Sequence, residues 1–320
     1  MAYPTPAVTV TTAATFIPEI WSDEIIAAYK KNLVLANIVM KMNFKGKKGD
    51  TVHIPAPTRG SASAKSASTA VTLIADTETE IQVSINKHFE YSRFIEDIVE
   101  AQALNSLRQF YTADAGYALA KQVDTSLIQL GRAFNGATVG TNDYATATAT
   151  SKAFIGGDGT TAYNSSTSNA SALTDAAIRR TIQRLDDNDT PMDNRFFVIP
   201  PSSRNTLMGL SRYTEQAFVG NGNAIRTGEI GQLYGIPVFT SSNADTGAGT
   251  SGTDRICLMG HKDAMVLVEQ IGIRSQTQYK QDYLATLFTS DTLYGVAALR
   301  AAASSNAALS SSAYALAVPA

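Results

Sequence analysis

The cleanest alternation in the chain lies at residues 81–91. Ile81, Val83, Ile85, Phe89 and Tyr91 fall on one face, and Gln82, Ser84, Asn86, His88 and Glu90 on the other, with Lys87 breaking the apolar series. A period of two predicts a half-buried strand. Residues 95–134 carry the strongest helical signal: Leu104, Leu107, Tyr111, Ala115, Leu119, Val123, Leu127, Leu130 and Phe134 step by three or four and draw one apolar stripe. A helix of that length runs about 60 Å, and Gly116 is a candidate bend.

Before these elements, Pro4, Pro6 and Pro18 keep residues 1–20 extended. Such an arm has no way to bury itself on its own subunit and is expected to lie on a neighbour. Ser22 is placed to cap a helix whose first turn holds Asp23 and Glu24. A turn at 44–50 leads to a strand at 51–55. Residues 56–70 contain no core-forming side chain, and an extended run resumes at Val71–Ala75. Together they predict a long two-stranded loop projecting from the body, only marginally stable alone.

After the long helix, residues 137–172 form a low-complexity insertion with one short strand at 153–155. Thr174 caps a helix bearing Ile178, Ile182 and Leu185. A turn at 186–193 leads to a buried strand, Arg195–Ile199, and Pro200-Pro201 starts another helix. The last third predicts strands at 235–240, 255–259, 264–268, 271–279, 283–289 and 294–299. The Ala/Ser-rich tail 301–320 is expected to be loosely ordered. The fold class is α+β.

Composition turns this outline towards self-association. The chain has 320 residues and is 44% hydrophobic, yet only 17% of it is charged, against roughly 25% in ordinary soluble proteins. A charge-poor surface is weakly protected against association. Net charge is −2, without the basic excess of a sequence-reading nucleic-acid protein. Cys257, the single cysteine, sits in an apolar run and is read as a buried core thiol in a reducing compartment. The N-terminal residues show no signal-peptide pattern, and no apolar stretch is long enough to span a membrane.

Candidate chemistry is sparse. His53, His88 and His261 are far apart and fit no metal motif. Ser202 and Ser203 lie in no nucleophile elbow and suit helix capping. Gly156-Gly157-Asp158-Gly159 lacks the Lys-Ser/Thr of a phosphate loop. Asp186, Asp187, Asp189 and Asp193 miss the calcium-loop pattern, because Pro191 stands where a ligand belongs. They are read as a solvated turn. No catalytic, cofactor or metal residue is expected.

Charge placement is more informative. Lys45, Lys47, Lys48, Arg59 and Lys65 face only Asp50 within 43–75. Asp76, Glu78, Glu80, Glu90, Glu96, Asp97 and Glu100 face only Lys87 and Arg93 within 76–100. A basic loop thus precedes an acidic segment. The two either neutralise each other locally or dock one subunit's loop on its neighbour.

The order of parts resembles the tailed-bacteriophage major capsid protein family, whose shell fold is shared with encapsulins. Leu185–Pro191 followed by Arg195–Pro201, Gly228–Val238 followed by Ser241–Asn243, His261–Ala264 and Tyr294–Arg300 are similar to its recurrent segments. The resemblance implies an N-terminal arm (1–20), an N-terminal helix (21–44) and an extended β-hairpin loop (45–80). It further implies a peripheral domain with the long spine helix and the insertion (81–172), an axial α/β domain (173–255), returning strands (256–300) and a tail (301–320). It implies pentamers and hexamers closing into an icosahedral head around double-stranded DNA, in the virion after assembly in the host cytoplasm. A separate scaffolding protein, a portal protein and a decoration or cement protein would be the partners. An encapsulin-like compartment is the nearest alternative, and a hydrolase using Ser202 a more distant one.

Overall fold

The computed structural model describes residues 34–45, 48–57, 62–71, 73, 78–96, 106–132, 153–161, 163, 169–210, 231–244, 254–300 and 312–320. The expected arm, the helix start at Ser22 and most of the 137–172 insertion lie outside them.

The buried strand expected at Arg195–Ile199 forms, and its position explains its continuous apolar run. It is β6 of a six-stranded sheet ordered β5-β12-β9-β6-β8-β7. The other strands are β5 (Phe154–Ile155), β7 (Gln232–Leu233), β8 (Ile236–Thr240), β9 (Arg255–His261) and β12 (Ala313–Val318). Successive side chains of a strand point to opposite faces. Phe196 and Val198 therefore enter one core with Leu127, Ile128 and Leu258, while Phe197 and Ile199 enter another with Ile178, Leu185, Leu207 and Cys257. A sheet covered on both faces needs apolar residues at every position.

The helix at Asp175–Asp187 begins where the sequence placed it. The Thr174 hydroxyl accepts the Ala177 amide at 3.3 Å, and Ile178, Thr181 and Leu185 are buried. The helix at Pro201–Met208 starts without a side-chain cap, so the capping role expected of Ser202 and Ser203 is corrected. Ser202 instead donates to the Pro319 carbonyl, 3.1 Å away, and Ser203 lies 3.4 Å from the Cys257 sulfur. The turn at 186–193 is built around a buried cation. The Arg195 guanidinium donates to Asp186 at 2.7 Å and to the carbonyls of Pro191 and Thr190 at 2.8 and 2.5 Å.

A second, four-stranded sheet runs β1-β10-β11-β4. Its strands are β1 (Met40–Asn43), β4 (Lys87–Glu96), β10 (Met265–Lys280) and β11 (Ala285–Ala298). The long helix occupies Ser106–Arg132, about 40 Å at 1.5 Å per residue. The expected start at 95 is corrected, because Ile95 and Glu96 finish β4, and residues 97–105 and 133–134 lie outside the described residues. The helix crosses this sheet through Tyr91, which donates to Asp114 at 3.0 Å, and through Tyr294, whose hydroxyl lies 2.9 Å from that of Ser126.

The projecting loop needs a correction. The single strand expected at 81–91 is two strands in two sheets. Residues Glu78–Ser84 (β3) pair with Thr51–Pro57 (β2) as a separate two-stranded sheet, and β4 pairs with β11. The alternation stays in phase across the break at Ile85 and Asn86, which hides it from the pattern. Val71 and Leu73, expected in the returning strand, are 67% and 86% exposed and outside any strand. The base of the loop is anchored, with Val52, Val83 and Ile85 packing on Val266 and Val268.

The expectation of a loosely ordered tail is overturned for residues 312–320, while 301–311 lie outside the described residues. Residues Ala313–Val318 are buried throughout, inserted between β5 and β9. Tyr314, Leu316 and Val318 enter one core, and Ala315 and Ala317 pack with Tyr163 on the other face. Ala313 fits a crowded site: a Cβ built on Gly260 would come within 2.6 Å of Ala313 Cβ. The described part of the insertion joins the same sheet through β5, and Tyr163 donates to the buried Asp254 at 2.7 Å.

Candidate functional site

Two-stranded sheets are marginal in water unless something covers them, and β2–β3 carries Glu78 and Glu80 of the charge singled out in the sequence. His53 Nδ1 lies 2.9 Å from Glu80 Oε2, and Gln82 donates to Glu80 Oε1 at 2.7 Å. Those hydrogen bonds, Gln82 first and His53 second, hold the Glu80 carboxyl below its usual range. Glu78 pairs through its backbone with Pro57 at the outer end of the ladder. Lys48 and Lys65 are exposed.

At the root, Lys45 approaches Glu269 of its own subunit at 3.7 Å. Lys47, Arg59, Asp76, Asp97 and Glu100 lie outside the described residues.

Glu90 and Glu96 are exposed on β4. Strand parity puts them on the face opposite Tyr91 and Arg93, whose side chains meet the long helix at Asp114 and Tyr111. The same outward face holds His88 and, across β11, Asp291, which is bound by Arg274 at 2.7 and 2.9 Å and by His88 at 3.2 Å. The Arg274 hydrogen bond chiefly holds the Asp291 carboxyl below its usual range; desolvation opposes it, and the His88 hydrogen bond adds a lesser lowering. Among the described residues, no ion pair joins Lys45, Lys48 or Lys65 to Glu90 or Glu96.

Two features escaped the sequence reading. Asp124 is fully buried on the long helix, where it accepts the Asn243 side-chain amide at 3.1 Å and the Ala36 backbone amide at 3.3 Å. Burial pushes its carboxyl up. An acid beside the apolar stripe at Val123 and Leu127 was the available signal. The second is an apolar corner, Phe94, Tyr283 and Leu284, exposed by 56%, 69% and 65%.

Among the described residues, the remaining groups form no reacting constellation. The Cys257 thiol is buried and pushed up to about 12, which leaves it protonated and inert. His53, His88 and His261 each meet different acidic partners. Among the described residues no group of three or more His, Cys, Asp or Glu could hold a metal ion, and no helix is long and apolar enough to cross a membrane.

A helix-backed body with two sheets and a projecting charged hairpin is the architecture of a viral shell subunit. It is shared with the solved protein of Mycobacterium phage Che8 (22% identity, TM-score 0.72, covering 94% of this chain and 97% of that one). The cyanophage Pam1 capsid has it too (13%, 0.70, 99% of both chains), as does the capsid of cyanophage P-SCSP1u (18%, 0.69, 95% and 93%). Residues 17–304 match the phage capsid protein family, and the chain belongs to it. Its fold is that of the phage major capsid protein, and its function is to self-assemble into the capsid of the virion. No curated protein matches the sequence.

Proposed function

We propose that this subunit closes as pentamers and hexamers into the icosahedral head of a tailed phage, enclosing double-stranded DNA by confinement without reading its sequence. The observation that carries this reading is the family match over residues 17–304, joined to likeness over nearly the full length of phage shell proteins. The near-neutral balance of 26 basic and 28 acidic side chains fits a wall beside packed DNA better than a DNA reader. In this reading the protein catalyses nothing. It is assembled in the host cytoplasm with a separate scaffolding protein, a portal protein and a decoration or cement protein. Residues 1–20 serve as the arm, 45–80 as the extended loop, 81–172 as the peripheral domain and 173–255 as the axial domain.

The contact proposed for the loop sets Lys45, Lys47, Lys48, Arg59 and Lys65 over a neighbour's Asp76, Glu78, Glu80, Glu90, Glu96, Asp97 and Glu100. Exposed pairs contribute only roughly 0–1 kcal/mol each. A shell repeats them many times, and charge complementarity fixes register and rejects wrong docking.

Electron microscopy of the purified, overexpressed chain tests the main reading: shells or tubes are expected, and a small monodisperse particle refutes it. Reversing Lys47 and Lys48 to Glu tests the loop contact, with impaired assembly and altered salt sensitivity expected. Normal assembly with unchanged salt dependence sinks it.

A further inference from the structure

Residues 153–161 and Tyr163 fold back on themselves as a small hairpin. The Ile155 amide donates to the Thr161 carbonyl at 2.9 Å, and the Tyr163 amide to the Ala153 carbonyl at 2.8 Å. The bend is the Gly156-Gly157-Asp158-Gly159 run. Asp158 closes it by accepting the Thr160 and Thr161 amides at 2.8 and 3.0 Å. Gly159 has a φ of +63°, which disfavours any side chain there. The bend is rooted on the helix Asp175–Asp187. The Thr174 amide and hydroxyl donate to the Gly156 and Gly157 carbonyls at 3.0 and 2.6 Å, and Arg184 donates to the Gly159 carbonyl.

From that root the hairpin reaches over β12 and touches both of its faces. On one, Tyr163 packs with Ala315 and Ala317 and bonds to Asp254. On the other, Phe154 meets Tyr314 with ring centroids 6.4 Å apart, and the Arg184 guanidinium lies 3.5 Å over the Phe154 ring. Backbone pairing is slight: β5 meets β12 over two residues, and the Gly156 amide donates to the Ala317 carbonyl at 2.8 Å. The side chains of Phe154 and Tyr163 thus take their cover from β12, and β12 takes its outer neighbour from the hairpin. Elements that shelter each other in this way open together, at a lower free energy than global unfolding.

Both neighbours of β12 precede it in the chain, so the β9 edge stays open until residues 313–318 arrive. We propose that this hairpin is a strap that closes over β12 and opens with it as one unit, and that its closure makes the subunit competent to assemble. The assembly role rests on the reading that the chain builds a shell; the strap itself does not.

Cys257 is a built-in probe. It stands opposite Leu316 in the β9–β12 ladder and is fully buried, so a thiol reagent reaches it when β12 leaves or the whole chain unfolds. In free subunits, an aromatic disulfide reagent is expected to label Cys257 faster than global unfolding permits, with little dependence on urea. A Cβ at residue 156 would stand 2.6 Å from the Ser171 carbonyl oxygen and 2.7 Å from Val318 Cγ1. Gly156→Ala is therefore expected to speed labelling about tenfold, equivalent to roughly 1.4 kcal/mol of easier opening. Tyr163→Phe, which keeps the ring and removes the bond to Asp254, is expected to act in the same direction. Gly295→Ala, at the base of the projecting loop, is expected to lower the urea midpoint and leave labelling in water unchanged. Labelling that tracks global unfolding in every chain overturns the strap. The concentration needed for shells is expected to rise about tenfold in Gly156→Ala. An unchanged threshold beside faster labelling overturns the assembly role. A wild-type chain that forms no shells overturns that role and the shell reading together, while the labelling comparison still decides the strap.

Discussion

Asp124 on the long helix and Asn243 in the turn after β8 are joined by a 3.1 Å hydrogen bond, although 119 residues separate them. The other carboxylate oxygen takes the Ala36 amide at the start of the short helix Leu35–Ile38. One buried acid thus ties the chain after the arm, the long helix and the six-stranded sheet together.

Asp124→Ala is expected to lower stability by roughly 1–3 kcal/mol, because buried donors lose their acceptor. The pH response has an unusual sign. Burial raises this carboxyl above its ordinary 3.8, so the folded state takes up the proton before the unfolded state does. Its contribution to stability rises as pH falls through the raised value towards 3.8. Denaturant midpoints between neutral pH and about pH 4 should show that component in the wild type and lack it in Asp124→Asn.

Asp291 behaves oppositely. Arg274 and His88 lower its pKa, so its stabilising contribution is fully present above 3.8 and is lost as pH falls through the lowered value. Arg274→Ala should flatten the loss of stability below about pH 4. Because Arg274 is half exposed, the effect should be small and should shrink in high salt. Acid titrations of unfolding at two ionic strengths measure it.

Gly295 and Gly131 should respond differently to alanine. A Cβ at 295 would stand 2.5 Å from the Ser84 carbonyl oxygen and 3.2 Å from Ile85 Cα, all backbone at the base of the projecting loop. That substitution is expected to cost about 1–3 kcal/mol. At 131 the obstacle is the Leu258 Cδ2, 2.5 Å away, which can rotate, and alanine returns up to about 1 kcal/mol of helix propensity. Chemical denaturation of both variants should rank Gly295→Ala as the more damaging; the reverse order would contradict the packing described.

Leu316 lies fully buried in β12, between β5 and β9. Leu316→Ala should cost about 2–5 kcal/mol. A chain ending at residue 311 should expose the β9 edge and aggregate. Soluble, cooperatively unfolding protein from that truncation would show that β12 is dispensable.

Several elements were legible in the sequence because their information is local. Thr174 and the Ile178–Leu185 spacing mark a helix wherever it packs, and Arg195–Ile199 marks a strand covered on both faces. The alternation Tyr314, Leu316, Val318 was present as well, but the intervening alanines made it look like low complexity. Only the folded sheet shows Ala315 and Ala317 packed with Tyr163 and Ala313 set against Gly260. The strand at 81–91 misled for the converse reason, since one alternation that stays in phase served two sheets.

The sequence by itself determined the α+β class, the long helix, the buried strands and the segregation of basic loop from acidic segment, all set by period and charge along the chain. Tertiary structure alone decided which strands share a sheet, that Asp124 would be a buried tie and that Phe94 would meet Tyr283. Those outcomes depend on contacts between residues far apart in the chain, which no local pattern encodes. For the same reason, the hold of the strap on β12 becomes visible only once the subunit is folded.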